Sequence, residues 1–200
     1  TAPTTSYNLP NGRKWAGALP RKLTPAPTRT QRENPVIGRC ASQKKSMWPA
    51  QLADIKKIYS PSPSVSVALF GSMPMLSDKA REVLEGASFI DEKSSTFSEY
   101  LSCIDFWVAF GDDKGFSLID GVLEALAAGK VVILPGRFRK TFGRSAIYTS
   151  PAKVEEVVHR LWVDKFLYEE QVQRGRAFVE EMWSEEELLR ELRNLSLIHI

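Results

Sequence analysis

The sequence predicts an α/β protein with a doubly wound, parallel, Rossmann-like sheet. From Pro35 onward, short apolar runs rich in Val and Ile alternate with segments of helical period. Strands separated by helices are joined by crossovers that make them parallel. Runs such as DFWVAFG (105–111) are apolar without alternation, as expected of strands covered on both faces. With 200 residues, 43% of them hydrophobic, the chain can bury one sizeable core.

Residues 1–34 differ from the rest because they are rich in Pro, Thr, Arg and Lys and follow neither period. We predict a linker or irregular strap there. Since the first residue is Thr1 rather than Met, we expect a piece of a longer protein, with the strap leading from an N-terminal half that is absent here. Residues 195–200, LSLIHI, resemble a translated adapter and are predicted to be a non-native tail. The predicted domain is therefore 35–194.

The first half of this domain is predicted to alternate three strands with three helices. Pro49 stands near a helix start, and Ser77 and Gly86 cap and stop the second helix. In chain order these elements are the strand PVIGR (35–39), the helix WPAQLADIKKIYS (48–60), the strand SVSVALFGS (64–72), the helix SDKAREVLEG (77–86), the strand SFIDE (88–92) and the helix TFSEYLSCI (96–104).

The second half is predicted to continue the alternation and to end in helices. DFWVAFG is a strand, a turn at Gly115 leads into a helix from about Ser117 to Ala128, and KVVILP (130–135) is the next strand. SAIYTS (145–150) is a last short strand. Three helices follow, in PAKVEEVVHRLW, DKFLYEEQVQRGRAFVEEMW and SEEELLRELRNL.

Composition excludes several classes of function. The net charge of +3 comes without a basic stripe interleaved with aromatics, so we expect no nucleic-acid partner, while an anionic small molecule is compatible. Two cysteines outside any CxxC spacing argue against disulfides and structural zinc and favour a cytoplasmic protein. No run of eighteen apolar residues and no leader-like segment is present, so we expect no membrane span.

Ligands of open parallel sheets bind at the carboxyl ends of the strands, which directs attention to three loops. In the first, Gly38 would permit a tight turn, and Arg39, Lys44 and Lys45 would attract an anion, unless the loop is simply basic and solvated. In the second, Gly71 ends a strand and either admits a ligand or only makes a turn.

In the third loop, Gly115 precedes a helix start. The free N–H groups near Phe116, Ser117 and Leu118 would favour a phosphate. Glu124 lies about two turns further among apolar neighbours. Its carboxylate is therefore expected to be paired, solvated in a cleft or bound to ligand hydroxyls, with a plain surface glutamate as the alternative.

Four segments together resemble the donor-binding, C-terminal half of GT-B glycosyltransferases, above all the retaining enzymes of family four. They are IGR, MWP, DFWVAFG…GFSLIDGVLEALAAGKVVILPGRF and FGRSAIYTSPAKVEEVV, and the similarity runs from about Val36 to Trp183. The resemblance implies a nucleotide diphosphate sugar as donor substrate, no cofactor, no metal site, and an acceptor-binding N-terminal domain of the same chain. Whether the full enzyme associates peripherally with a membrane is left open.

The resemblance also implies roles for individual residues. Glu124 resembles the second glutamate of the family's E-x7-E motif, which accepts from the ribose hydroxyls. The GFSL turn (115–118) resembles the turn whose N–H groups meet the diphosphate, with Gly38 and Gly71 near the same ligand. Arg39 resembles the arginine that neutralises the leaving diphosphate, a stabilisation of roughly 3 to 4 kcal/mol.

Two positions depart from the family pattern. The first motif glutamate is replaced by Phe116, or by Lys114 if the alignment shifts by one residue, and the family's lysine is replaced by Met47. Lys44 or Lys45 could supply the missing cation. We therefore expect a glycosyltransferase as part of a longer chain, inactive as an isolated fragment. The alternatives are a noncatalytic nucleotide-sugar-binding module and another Rossmann-like binding domain.

Overall fold

The computed structural model describes residues 7–9, 13–15, 32–41, 45–71, 77–111 and 116–182. Side chains are described for these residues except 7–9, 13–15, 45, 116–120 and 182. The predicted helix in SEEELLRELRNL and the predicted tail lie outside the described residues. Among the described helices, none is long and apolar enough to cross a membrane.

The described elements alternate as the sequence predicts. They are β1 (Tyr7–Leu9), β2 (Arg13–Trp15), β3 (Val36–Cys40), α1 (Leu52–Tyr59), β4 (Ser66–Phe70), α2 (Asp78–Val83), β5 (Ser88–Ile90), α3 (Phe97–Ser102), β6 (Phe106–Val108), α4 (Phe116–Ala127), β7 (Val131–Leu134), α5 (Arg139–Phe142), β8 (Ile147–Tyr148), α6 (Val154–Val163) and α7 (Lys165–Met182). Short 3-10 turns stand at Lys45–Met47, Gly136–Phe138 and Pro151–Lys153.

Six of these strands form one parallel sheet in the order β5-β4-β3-β6-β7-β8. The chain therefore builds outward from β3 in one direction and then returns to build from β6 in the other. The register pairs Ile37 with Val67 and with Phe106, so the buried strands lie level with one another. This arrangement confirms the predicted doubly wound α/β fold.

Residues 7–9 and 13–15 contain more regular structure than the sequence analysis predicted. β1 and β2 pair antiparallel, with Tyr7 opposite Trp15. The sequence analysis did not predict these two strands, and the role of residues 1–34 as a linker stays a prediction. The overlooked signal is Asn11-Gly12 between the two strands, because this dipeptide favours the tight turns of hairpins.

The amino ends of the strands are held by a buried polar cluster. The Asp105 carboxylate accepts from the Val36 N–H at 3.0 Å, and the Asp105 carbonyl accepts from the Tyr168 hydroxyl at 3.0 Å. Lys130 is 1% exposed, and burial lowers its pKa while Asp105 opposes that shift. Side chains from β6, β7 and α7 thus meet at the edge opposite the expected ligand site.

Candidate functional site

The sheet order creates a topological switch point between β3 and β6, and we call the carboxyl edge of the sheet at this point, where a ligand is expected, the crevice. β3 has β4 on one side and β6 on the other, and the connections from these two neighbours run in opposite directions. The helices that follow β3 and β6 therefore cover opposite faces of the sheet, and ligands of such folds bind at the carboxyl ends of these two strands. The structure thus places the C-terminal ends of β3 and β6, and the start of α4 at Phe116, at the switch point of the fold.

Arg39 fills the floor of this crevice. Its guanidinium donates to the carbonyls of Met47 (2.6 Å), Phe110 (3.3 Å) and Cys40 (3.0 Å), and to the Tyr59 hydroxyl (3.0 Å). The residue is only 2% exposed. Four of the five N–H groups of the guanidinium are thus used by the protein itself.

Two aromatic rings complete the surroundings of Arg39. Its guanidinium carbon lies 4.1 Å from the centre of the Trp48 ring and 5.1 Å from that of Tyr59. The two rings meet edge to face with centroids 5.6 Å apart. A cation held against aromatic faces away from water gains about 2 kcal/mol.

The Tyr59 hydroxyl joins α1 to the end of β6. It donates to the Val108 carbonyl at 3.0 Å and accepts from the Phe110 N–H at 3.2 Å. With the bond from Arg39, this hydroxyl connects three elements at the switch point. The floor of the crevice is therefore held by the protein before any ligand arrives.

Gly111 allows the turn 45–47 to lie directly on the end of β6. A Cβ added at Gly111 would collide with the Met47 carbonyl and lie 2.9 Å from the Ser46 carbonyl oxygen. No other residue type fits without a shift of the main chain. The Met47 carbonyl of the same turn accepts a hydrogen bond from Arg39. The position of the 45–47 turn is therefore fixed both by its contact with Gly111 and by its hydrogen bond with Arg39.

Glu124 lies on the exposed side of α4. The helix buries Val122, Ala125 and Leu126, and Gly121 lets it approach the Trp107 ring, where an added Cβ would come within 2.9 Å. A carboxylate between these positions projects away from the core, which explains an acid in an apolar helix. The exposure of Glu124 agrees with both a cleft residue and a surface glutamate.

The pKa of Cys40 connects Glu124 with the end of β3. Burial raises the pKa of this thiol to about 11, Arg39 opposes the rise, and the charges of Glu124 and Glu92 add to it. Glu92 follows β5, whose Ile90 is level with Phe70 and hence with Cys40. Both carboxylates therefore exert their fields at the carboxyl edge of the sheet.

The structure gives different outcomes for the glycines of the predicted site. Gly38 is not in a turn: it lies in the middle of β3, where an added Cβ would collide with Tyr100 and lie 2.6 Å from Ile104 of the facing helical layer. The prediction of a tight turn at Gly38 is wrong, and close helix packing explains the glycine. Gly71 follows β4 with φ of +105°, so the turn predicted there is present.

The remaining predicted site residues are described less fully. Lys44 and Gly115 lie outside the described residues. Lys45 begins the 45–47 turn, and Phe116, Ser117 and Leu118 form the first turn of α4, as predicted for free N–H groups, but their side chains are not described. Contacts of these residues, of Arg39 and of Glu124 with a ligand stay predictions.

Sequence reasoning missed the partners of Arg39. Trp48 and Tyr59 are 1% and 0% exposed, and both line the floor of the crevice. The segment MWP carried part of the resemblance, but the sequence predicted only that a lysine is replaced by Met47 and not that Trp48 contacts Arg39. Met47 has a buried side chain and contributes its carbonyl oxygen. Among the described residues, no group of three or more His, Cys, Asp or Glu side chains could hold a metal ion.

Comparison with known proteins supports the fold. No protein-family model matches the sequence, and a search of curated proteins found no relative. The chain is similar to the solved structure of TarM, at 15% identity and a TM-score of 0.63, over 87% of this chain and 37% of TarM. It is similar to Anabaena HepE in complex with UDP-glucose, at 15% identity and a TM-score of 0.59, over 82% of this chain and 49% of HepE.

A third similar structure is the C-terminal domain of LpcC, a group 1 glycosyl transferase from Francisella tularensis. The identity is 17% and the TM-score 0.56, over 74% of this chain and 85% of that domain. The chain spans less than half the length of TarM and HepE but most of this isolated domain. The chain therefore has the Rossmann-like fold of GT-B glycosyltransferases that its sequence predicted.

Proposed function

We propose that the chain is the donor-binding half of a glycosyltransferase that transfers a sugar from a nucleotide diphosphate sugar to an acceptor hydroxyl with retention. The observation that carries this proposal is the switch point between β3 and β6, onto which α4 directs its N-terminus. The positive end of a twelve-residue helix at a crevice is well suited to a diphosphate. HepE, which is similar in fold, was solved with UDP-glucose.

The position of Glu124 agrees with a ribose contact. Its carboxylate is exposed and acts on Cys40 at the end of β3, so it stands on the crevice side of α4. A carboxylate can accept from both hydroxyls of a vicinal diol. Hydrogen bonds to a charged acceptor contribute about 1.5 to 3 kcal/mol each.

Calorimetric titration with UDP and with GDP tests this proposal. We expect one of them to bind, and Glu124→Ala to weaken binding by about 10- to 100-fold, which corresponds to the loss of one such bond. Glu156→Ala, another exposed helical glutamate on α6, is the matched control and should stay within twofold. A folded sample that binds neither nucleotide at millimolar concentration would refute the proposal and favour another Rossmann-like binding domain.

The second candidate function is a noncatalytic nucleotide-sugar-binding module. It is favoured by Met47, because an apolar, buried side chain stands where the family places a cation for the leaving diphosphate. The two candidates differ in turnover. A chain joined to an N-terminal half should transfer or hydrolyse the donor if it is an enzyme, and the anomeric configuration of the product, read by NMR, tests retention. Nucleotide binding without any turnover would favour the noncatalytic module.

A further inference from the structure

A basic surface stands beside the crevice, at the carboxyl ends of the last two strands of the sheet. Residues 125–154 contain six Lys and Arg residues and no Asp or Glu. Three of these cations, Arg137, Arg139 and Lys140, are exposed and lie in the 3-10 turn after β7 and at the start of α5. We call these three residues the basic surface.

The basic surface is attached to the fold by aromatic contacts. The Arg137 guanidinium lies 4.8 Å from the Phe138 ring and that of Arg139 lies 4.9 Å from the Tyr148 ring. Phe138 is buried and packs 6.4 Å from Phe142. The two arginines are therefore held near fixed positions, and less side-chain entropy is lost when they bind a ligand.

Tyr148 adds a second and independent feature. Its hydroxyl oxygen is buried and has no hydrogen-bond partner in the structure. Burial raises the pKa of Tyr148, so the hydroxyl keeps its proton at neutral pH. Buried polar groups without partners are rare in native proteins. The Arg139 guanidinium lies over the ring that carries this donor, and a cation beside an unused donor is suited to an anionic oxygen.

The distance to the crevice indicates what kind of ligand would bind. β7 and β8 are two and three strands away from β3 in the sheet. At about 4.8 Å between strands, the basic surface lies roughly 10 to 15 Å from the end of β3. The anionic group of the donor, its diphosphate, is proposed to lie at the start of α4, so an anionic group at the basic surface would belong to a second ligand. A chain-like acceptor is long enough to reach both places.

We propose that Arg137, Arg139 and the Tyr148 hydroxyl bind an anionic group, a phosphate or a sulfate, of a chain-like acceptor whose reacting hydroxyl lies at the crevice. This inference rests on the proposed function and adds the chemical class of the acceptor. Such a surface raises the local concentration of an anionic chain and is weakened by salt.

Inorganic polyphosphate of about ten units is the probe, with binding to the full chain measured at 50 and 200 mM salt. We expect R137Q/R139Q to weaken binding at least tenfold. The control K56Q/K57Q, which removes two exposed cations from α1, should stay within twofold. Tyr148→Phe should weaken binding about threefold without any change of charge, and UDP affinity should be unchanged in all variants.

Equal effects of the two double variants would overturn the proposal, because they would show that only net charge matters. Absence of polyphosphate binding would overturn it as well, as would binding to vesicles of anionic lipid without binding to polyphosphate. If R137Q/R139Q does not fold, R139Q alone is compared with K57Q by the same criteria. Failure of the proposed function is recognised separately, because UDP and GDP would then not bind the unmodified chain.

Discussion

Replacement of Arg39 by methionine decides whether this arginine serves mainly the fold or mainly a ligand. Methionine keeps much of the side-chain volume but offers no donor, so it removes four hydrogen bonds and the contacts with the Trp48 and Tyr59 rings. The acceptors left behind in the core are the carbonyls of Met47 and Phe110.

The expected change in the free energy of unfolding follows from the interactions that Arg39→Met removes and from the desolvation cost that it relieves. Each buried acceptor left without a donor costs about 1 to 3 kcal/mol, and the lost cation–π contact about 2 kcal/mol. Part of this loss of stability is offset, because methionine carries no charge and the desolvation penalty of the buried guanidinium disappears. We therefore expect Arg39→Met to lower the free energy of unfolding by about 3 kcal/mol. Arg39→Lys should lower it by somewhat less, because an ammonium keeps some donors although it cannot replace the planar fork.

Urea unfolding followed by tryptophan fluorescence measures this effect, because the buried Trp48, Trp107 and Trp162 become exposed to water on unfolding. Arg137→Met is the matched control: it also removes an arginine from an aromatic ring, but an exposed one, and should cost less than about 0.5 kcal/mol. If Arg39→Met stayed within about 1 kcal/mol of the wild type and abolished UDP binding, the guanidinium would act on a ligand instead, and the structural interpretation would be refuted.

Three further predictions concern the same fold. Gly111→Ala should lower the free energy of unfolding in urea by about 2 to 3 kcal/mol, because the neighbouring turn must move to make room for the added Cβ. In the control Gly136→Ala the added Cβ has no atom within 4 Å, so the change should stay within about 0.5 kcal/mol. Equal effects of the two variants would contradict this prediction. In a Cys103→Ser variant, Cys40 of the folded protein should react with iodoacetamide at pH 8 about 100-fold more slowly than Cys40 of the protein unfolded in urea. The reason is that its pKa of about 11 in the folded protein lies two units above the ordinary value of 9.0, so less of the reactive thiolate is present. Equal rates in the two states would contradict this prediction. Asp105→Asn should lower the free energy of unfolding by about 3 kcal/mol in the wild type, and by less in a protein that already carries Lys130→Met, because the two charged side chains interact. If the losses of the two single variants simply add up in the double variant, this coupling is contradicted.

The order of elements could be predicted because each depends on local pattern. Unbroken apolar runs predicted the central strands, and the cap at Ser77 predicted a helix start, where the Ser77 hydroxyl accepts from the Ala80 N–H. The cap at Thr96, whose hydroxyl accepts from the Glu99 N–H, was not predicted. The helix α5 was missed, since four residues are too few to show a period.

The site could be predicted only in outline, because its geometry depends on contacts between distant segments. Arg39 was predicted to offer its guanidinium to an anion from a loop, whereas it is a buried residue of β3 whose acceptors lie up to 71 residues away in the chain. Gly38 was assigned to a turn since a glycine near a strand end usually makes one. Its actual constraint is Tyr100, which reaches across from α3 and donates to the carbonyls of Arg39 and Ala68. Such constraints are invisible in a single sequence.

The buried charge of Arg39 connects the fold with the proposed ligand. Within the described residues its partners are neutral carbonyls, a hydroxyl and two rings, and no described ion pair includes it. A diphosphate at the switch point, as proposed above, would bring negative charge close to this cation without needing to touch it. The attraction between the guanidinium and the diphosphate is strong because the medium between them has low polarity. The effect is reciprocal: the contacts that hold Arg39 in place favour binding of the anion, and the bound anion stabilises Arg39 and its neighbours. A nucleotide should therefore stabilise the wild type against unfolding more than Arg39→Met, even if the arginine makes no direct contact with the phosphates.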